Sequence, residues 1–422
     1  MIGLLLAAAL AGAPLTLDAA LQSGLAANPE LRQAELDVKR ADLALQGAAG
    51  EKLTYAADLS VGDGYGASGL AGWSPLGATS IVPGSGQIPT ANATLAARMP
   101  LFTGFRLERT IDQAKVGVDA AHWQLEQRRQ DLIWRITQAY WQAQRAELHV
   151  AIATRARDQA GQARDVVLQS KAIGRANASE ADRAEVGLLN QEAELLRAQD
   201  ERLETREALA RLAHQPPDAA LSDPTPPANP IPAPAEATQR AEASRPDLLL
   251  LEANARATGF AWEASQADRW PQVALEGAYQ HGNNPFDPVA QSRLVLSSLS
   301  GNAYARVNLS YRLFDNGAIA RTIEARRLER DQALEAGRVL REQVQADVRQ
   351  ALARVASARK RVALGERSVA LARKNQTYLE NRFKFGYALL TELNEARVNL
   401  VTSENQRADA AIRRARRWTR GP

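Results

Sequence analysis

Two glutamates near the end of the chain are the side chains best placed to act on charged solutes. Glu392 and Glu395 follow Gly386 by six and nine residues. On a helix, a spacing of three residues puts both carboxylates on one face. Carboxylates that share a face attract cations, so the pair is a candidate for selecting solutes by charge. The simpler alternative is that they are solvated acids of a helix rich in Glu.

An earlier glycine is followed by an equivalent acid. Glu180 follows Gly174 by six residues, but the ninth position is Arg183 rather than an acid. Gly386 and Glu392 each lie 212 residues after their counterparts in this first segment. A turn that recurs with its downstream acid in register indicates that the chain is duplicated.

No group of residues has the spacing of a catalytic or metal site. The histidines lie on separate predicted elements without a nucleophile or a second ligand nearby; they are His122, His149, His214 and His281. The absence of cysteine excludes disulfides, thiolate metal sites and a lipidated N-terminal cysteine. The positive charges of a basic tail at 413–420 are more simply explained by interaction with the negative end of a helix dipole than by binding of nucleic acid. We therefore expect no enzyme activity, no cofactor, no metal and no nucleic-acid partner.

Composition and periodicity predict mostly long helices. Aromatic residues are only 5% of the chain, and Ala, Arg, Gln, Glu and Leu dominate, as in coiled coils. Helical spacing predicts a helix over 15–50 that begins at Asp18 and breaks at Asn28–Pro29. A very long helix is predicted over 105–170, roughly 100 Å at 1.5 Å per residue. A return helix follows over 179–213, with Ser179 and Asp182 resembling its capping residues.

Two stretches of the first half alternate apolar and polar residues, which predicts strands. They begin at Tyr55 and Thr94, and the Gly-, Ser- and Pro-rich stretch 62–90 between them predicts a loop. The second half repeats this order, with strands from Gln272 and from Tyr304 to Leu313. A second long helix is predicted to end near Phe385, and its return helix to end in the basic tail.

These patterns predict four segments. Residues 1–13 resemble a signal peptide. Residues 14–214 form a first repeat of helix, two strands and a long helical hairpin, and 236–422 form a second repeat. Between them, the Pro-rich stretch 215–235 is expected to be an extended linker without helix or sheet.

Four amphipathic strands are too few to be stable alone or to close a membrane barrel. Their apolar faces carry no charge, which suits a bilayer crossing. Several copies must therefore pool their strands, and three copies would give twelve. The expected fold is mainly α with a β-barrel part: a long α-helical coiled-coil barrel continuous with a transmembrane β-barrel, with four strands from each protomer.

This organisation resembles the TolC-like outer-membrane efflux protein family. The resemblance rests on the duplicated Asn-Pro-Glu-Leu-like start, the Leu-Phe-x-Gly-like strand exits and the two glycine turns, and it covers about 15–415. It implies a homotrimer in the outer membrane lipid with a periplasmic helical extension. It also implies a passive exit duct for a tripartite efflux or type I secretion system, with a periplasmic adaptor protein and an inner-membrane pump as partners. Drugs, metal ions and secreted proteins all remain possible substrates.

The resemblance also assigns roles to the glycine turns. They would be helix tips at the periplasmic entrance, with Glu180, Glu392 and Glu395 as gate or selectivity residues. The adaptor would dock on the turns themselves, at Gly174, Arg175, Gly386 and Tyr387.

One expected feature of this entrance is missing from the sequence. A Tyr and an Arg lock the entrance in the best-known member of this family, whereas the corresponding residues here are Phe383 and Ala388. Arg382 or Lys384 could substitute for them.

The competing interpretation of the whole chain is a periplasmic adaptor or other coiled-coil scaffold without channel activity.

Overall fold

The computed structural model describes residues 14–68, 84–174, 176–222, 232–283, 299–385 and 387–418. The chain divides into two compact units. The helical unit comprises Met1–Leu36, Trp123–Leu249 and Arg338–Pro422, and the sheet unit comprises Asp37–His122 and Leu250–Gly337. Each unit therefore takes segments from both halves of the sequence, and the units do not coincide with the two sequence repeats.

Long helices account for most of the described chain. In order, they are α1 (Leu17–Ala27), α2 (Pro29–Gly50), α3 (Arg106–Ala172), α4 (Ala178–Ala213), α5 (Pro234–Ser244), α6 (Pro246–Ser265), α7 (Ala318–Lys384) and α8 (Leu390–Trp418). A short 3₁₀ helix at Gln266–Arg269 follows α6. Across the ranges described, we find no helix that is both long and apolar enough to cross a membrane.

The first two helices begin at residues that cap them. Thr16, not Asp18 as predicted, caps α1, because its hydroxyl accepts a hydrogen bond from the Ala19 N–H at 3.2 Å. The predicted break at Asn28–Pro29 is confirmed. There the Asn28 side chain accepts from the backbone N–H groups of Glu30 and Leu31 at 2.8 and 3.2 Å. Pro29 takes the first helical position, where its missing N–H costs nothing.

Four antiparallel strands form one sheet in the order β1-β2-β3-β4. Their bounds are β1 (Thr54–Ser68), β2 (Gly84–Phe102), β3 (Gln272–Asn283) and β4 (Leu299–Ser310). The predicted loop 62–90 is therefore wrong at both ends, since 62–68 and 84–90 are paired in the ladder; its middle, 69–83, lies outside the described residues. Strand pairing uses backbone groups, so a run poor in apolar side chains still extends it. The fourth strand ends at Ser310, short of the predicted Leu313.

Strand register gathers the apolar side chains on one face of the sheet, as the alternation predicts. Leu95 lies opposite Ala57 on one side and Tyr279 on the other, and Leu275 lies opposite Met99 and Val307. These large side chains are exposed: Leu59, Leu95, Met99, Leu275, Tyr279, Val307 and Leu309 are all 41–77% accessible. An uncovered apolar face of this size needs a partner, either lipid or protein.

The helical unit is held together by a core at the middle of α3. Leu132, Ile136 and Tyr140 are at most 2% exposed and pack with residues of α1, α2, α4 and α8. The Tyr140 hydroxyl lies 3.2 Å from the carbonyl oxygens of Leu15 and Ser222, to one of which it donates. The segments that contain Leu15 and Ser222 thus both contact the core through this hydroxyl.

Part of the Pro-rich stretch is ordered against this core, contrary to the expectation of an extended linker. Leu221 forms a parallel β-bridge with Leu15. Arg206 Nη1 donates to the carbonyl oxygens of Pro217 and Ala219 at 2.9 and 2.5 Å. A helix then begins at Pro234. Proline is unfavourable in a helix interior, but it is well tolerated at the first helical position.

Candidate functional site at the helix ends

The first candidate turn connects α3 to α4. Gly174 has a φ of +74°, a backbone conformation that L residues with a side chain rarely adopt. Its N–H donates to the carbonyl of Lys171 at 3.0 Å, and the N–H of Ala176 donates to Ser170 at 3.3 Å. These bonds satisfy carbonyls that the end of α3 leaves free. Arg175 lies outside the described residues.

The acid after this turn has a structural role. Asn177 caps α4: its Oδ1 accepts from the Glu180 N–H at 2.8 Å, and Glu180 Oε2 accepts from the Asn177 N–H at 2.9 Å. This is a complete capping box. The pair predicted from sequence, Ser179 and Asp182, is wrong by two residues. The pattern Asn177-x-x-Glu180 was visible in the sequence and would have identified the cap.

The second candidate turn repeats half of this arrangement. Glu392 Oε2 accepts from the Leu389 N–H at 3.0 Å, while the Leu389 side chain cannot return a hydrogen bond. The Tyr387 N–H donates to the Arg382 carbonyl at 2.8 Å, closing the end of α7. Gly386 lies outside the described residues. Glu180 and Glu392 thus occupy the same helical position, which explains why they are in register in the sequence.

Two further charged residues near the turns, Glu395 and Arg183, are exposed. Glu395 and Arg183 make no hydrogen bond or ion pair with any residue that the structure describes. Glu395 lies one helical turn beyond Glu392, on the same face of α8. Glu395 therefore has no partner among the described residues, whereas Glu392 accepts a hydrogen bond from a backbone N–H.

Phe383 joins the two helical hairpins. It packs, partly buried, against a buried cluster of Val167, Ala181 and Ala184 that belongs to α3 and α4. The hydroxyl of a Tyr would be unnecessary for this contact. Arg382, one possible substitute for the missing lock, instead contacts its own helix: its Nη1 donates to the Tyr378 hydroxyl at 3.3 Å. In the sequence, Phe383 stands out only by the hydroxyl that it lacks, and its packing against the first hairpin has no local signal.

A polar layer lies behind this apolar contact. Gln376 is 6% exposed and donates from Nε2 to Gln159 Oε1 at 3.3 Å and to Glu380 Oε1 at 3.0 Å. Arg397 Nη2 donates to the same Glu380 oxygen at 3.4 Å. Burial lowers the pKa of the Arg397 guanidinium, and Glu380 offsets this only in part. The layer connects α3 with α7 and α8.

The outermost residues of both turns are apolar and exposed. Ile173, Phe385, Tyr387 and Leu389 are 66–77% accessible. Large apolar side chains clustered in this way usually mark an interaction surface. The helix ends therefore combine an exposed apolar surface, an acid free to meet solutes and a closed contact between hairpins. Within the described residues, no group of acidic or histidine side chains has the arrangement of a metal site.

Comparison with known proteins points to one family. The sequence model of the family described as outer membrane efflux protein matches residues 20–213 and 237–420. These two ranges span most of the chain and leave out the Pro-rich stretch. Among proteins of curated function, none matches the chain in sequence.

Solved structures of outer-membrane proteins have the same fold. The CmeC outer membrane channel of Campylobacter jejuni superposes with a TM-score of 0.80 at 16% identity, covering 96% of this chain and 84% of that one. The MtrE outer membrane channel of Neisseria gonorrhoeae gives 0.75 at 19% identity, covering 96% and 87%. VceC of Vibrio cholerae gives 0.72 at 18%, covering 96% and 94%. At these identities the likeness establishes the fold.

Proposed function

Because this chain belongs to the outer membrane efflux protein family, we propose that it is the exit duct of a tripartite efflux or type I secretion system. Membership makes it an outer-membrane efflux channel rather than an enzyme. The predicted family and fold class are thereby confirmed. The proposal adds three features: a trimer, a periplasmic entrance at the helix ends, and docking of an adaptor protein there.

Two apolar stripes on the helical unit support assembly into a ring. Leu189, Leu196 and Leu203 repeat every seven residues on α4 and are 54–63% exposed. Leu364, Leu371 and Tyr378 repeat every seven residues on α7 and are 57–69% exposed. A seven-residue repeat of apolar side chains is the pattern of a coiled-coil seam. Since the stripes differ, copies that join one to the other meet head-to-tail, and such contacts form a ring when the rotation between neighbouring copies closes.

The sheet supports the same conclusion. β1 and β4 are the outer strands of the described sheet, and each leaves one row of backbone groups without a partner in the ladder. In hydrocarbon, unpaired backbone groups are too costly, so spanning sheets close on themselves. Pairing β1 of one copy with β4 of the next would satisfy both edges, and three copies would form a twelve-stranded barrel. The apolar face would then contact lipid and the polar face would line the passage.

The helix ends support docking and gating. Ile173, Phe385, Tyr387 and Leu389 offer an apolar surface to an adaptor tip, with the glycine turns at Gly174 and Gly386 between helices. Glu395 would form a ring of three carboxylates, with Glu392 and Glu180 beside it. The contact of Phe383 with the first hairpin would keep the entrance narrow until docking separates the hairpins. Energy would come from an inner-membrane pump.

The matched sequence family, over both halves of the chain, carries this proposal. The test is to express the protein with an affinity tag, separate the outer membrane, extract it in detergent and measure its mass by light scattering. We expect an outer-membrane species of three chains that conducts ions in planar bilayers. A soluble single chain in the periplasm would contradict the proposal.

The adaptor and pump require a separate experiment. Deletion of the gene should sensitise cells to the substrates of one pump, and cross-linking should recover an adaptor at the helix ends. Screening drugs, metal ions and secreted proteins for accumulation in the deletion strain would identify the substrate class. If a Gly174→Val variant restores resistance to the deletion strain as well as the native protein does, docking at this turn is contradicted.

A further inference from the structure

A row of three charged side chains crosses the polar face of the sheet. Strand register puts Glu276 directly opposite Arg98 on β2 and opposite Arg306 on β4. Arg306 donates from Nε and Nη2 to Glu276 Oε2 at 3.0 and 2.9 Å. Arg98 Nε lies 3.5 Å from Glu276 Oε1. One carboxylate is thus shared between two guanidinium groups that come from opposite neighbouring strands.

This row carries an excess of positive charge that is exposed to water. Two guanidinium groups against one carboxylate leave one positive charge. The Glu276 side chain is only 17% exposed, while Arg98 and Arg306 are each 62% exposed. Asp58 is the nearest acid on the same face of β1, four residues from the position opposite Arg98 and so about 13 Å away along the strand. The solvent-facing part of the row is therefore cationic.

Beside the row lies a shallow cavity with a floor of small side chains. The next register positions on the same face hold Ala56, Ala96 and Ala278, followed by Tyr304 on β4. A cavity of about 220 Å³ opens here; its lining includes Ala56 and Ala96 of this floor, Tyr304, and the charged pair Arg98 and Glu276. The Arg306 guanidinium lies 5.3 Å from the centre of the Tyr304 ring, which fixes that ring at the edge of the cavity.

We propose that this cavity is a binding subsite for organic anions that pass through the channel. A carboxylate, sulfonate or phosphate group would bind Arg98, whose guanidinium makes one long contact with Glu276 and keeps other donors available. The apolar part of the molecule would lie on the alanine floor beside Tyr304. The inference rests on the proposed function, because the polar face must line the water-filled passage for a solute to reach it.

The small alanine side chains and the excess positive charge of the row favour an organic anion with an apolar part. An organic cation would meet Arg98 and a carboxylate that Arg98 and Arg306 already share, so it would be repelled. An inorganic anion would use the arginines but gain nothing from the apolar floor. An amphipathic anion satisfies both parts of the cavity, and it binds weakly enough in this open position to leave again.

The test is block of single-channel current by naphthalene-1-sulfonate in planar bilayers. We expect the wild-type channel to be blocked by this anion and not by naphthalene-1-methylammonium at the same concentration. Arg98→Gln should raise the half-blocking concentration about tenfold, as loss of a charge-assisted hydrogen bond implies. Arg98→Lys keeps the charge and should lose less. Arg312→Gln, which removes a charge two residues beyond β4, is the matched control and should leave block unchanged.

A second variant tests the floor while leaving the charged row intact. Ala96→Leu would fill the cavity and should weaken naphthalene-1-sulfonate block while sparing block by sulfate. Equal block of Arg98→Gln, Ala96→Leu and wild-type channels of normal conductance would overturn the subsite and leave the channel itself untouched. A wild-type trimer that conducts no ions would overturn the proposed function, and this inference with it.

Discussion

At the scale of single residues, the capping role of the acids near the helix ends can be separated from the electrostatic role that we propose for them. Glu180 and Glu392 bind the backbone N–H at the start of their helices, whereas Glu395 is free among the described residues. A Gln accepts the same capping hydrogen bond without carrying charge. Changing Glu to Gln therefore removes the electrostatic role and keeps the structural one.

We expect Glu392→Gln combined with Glu395→Gln to weaken block of single-channel current by divalent cations at least several-fold, because each copy would lose the ring carboxylate and the one beside it. Thermal unfolding should remain close to that of the wild type. Glu392→Ala is the informative comparison, since it also loses the cap and should cost about 1 kcal/mol of stability. Identical cation block in the wild type and in the double Gln variant would rule out the proposed selectivity ring.

A second residue-scale prediction concerns the ion pair between α2 and α3. Arg135 donates to both carboxylate oxygens of Glu30, and these hydrogen bonds hold the pKa of Glu30 below its ordinary value. A carboxylate whose pKa is lower in the folded state stabilises the fold above its unfolded pKa, and this stabilisation is lost as pH falls through the folded pKa. Glu30→Gln should therefore lower stability at neutral pH.

The expected loss is under about 1 kcal/mol, because both side chains are about half exposed and solvent screens the pair. Unfolding midpoints of wild type and Glu30→Gln should converge as pH falls below about 4, the range where an ordinary Glu titrates. A difference that stays constant from pH 7 to pH 3 would show that the carboxylate charge is not responsible.

At the scale of elements, sequence periodicity predicted the helices and the faces of the strands well. Both follow from local repeats, of about 3.6 and of 2 residues. The strand ends were missed because 62–68 and 84–90 are paired through backbone groups that side-chain patterns do not report. The caps at Thr16 and Asn177 were missed by two residues, since each lies beside another plausible capping residue. The contact of Phe383 with α3 and α4 joins residues about 200 positions apart, which no local pattern encodes.

This contact gives a prediction about the hairpins. Phe383→Ala should remove the apolar contact between them, cost roughly 1–3 kcal/mol and raise the resting conductance of the purified channel. Phe385→Ala is the matched control: Phe385 lies two residues away and is 77% exposed, so its loss should leave conductance unchanged. Adaptor binding, measured by surface plasmon resonance, should instead fall for Phe385→Ala. A conductance increase in both variants would argue against a specific role for Phe383.

At the scale of the whole molecule, large apolar surfaces of the described chain remain exposed. The stripes on α4 and α7 and one face of the sheet stay exposed, although each unit has a core of its own or a paired sheet. In the proposed trimer, contacts between copies and with lipid would supply burial that folding of one chain does not. The division into two units, each built from both sequence repeats, could not be predicted because it depends on contacts between distant segments.

Leu371→Glu should disrupt this assembly, because it puts a charge at the centre of the α7 stripe, where the contact excludes water. We expect a shift from three chains to one in light scattering of the detergent-extracted protein. Ala370→Glu adds the same charge on another exposed face of α7 and should stay trimeric. A trimeric Leu371→Glu protein would exclude the α7 stripe as an interface.

The apolar contact of Phe383 predicts that leakage through the proposed entrance depends on temperature. A lock made of ion pairs weakens as salt is added, whereas burial of apolar surface is nearly insensitive to salt screening and loses strength on cooling. An entrance held by Phe383 would therefore leak more in the cold than near the growth temperature, at any ionic strength. Cooling cells that carry this channel should make them more permeable to antibiotics that the outer membrane normally excludes, and Phe383→Ala should abolish that cold-induced change.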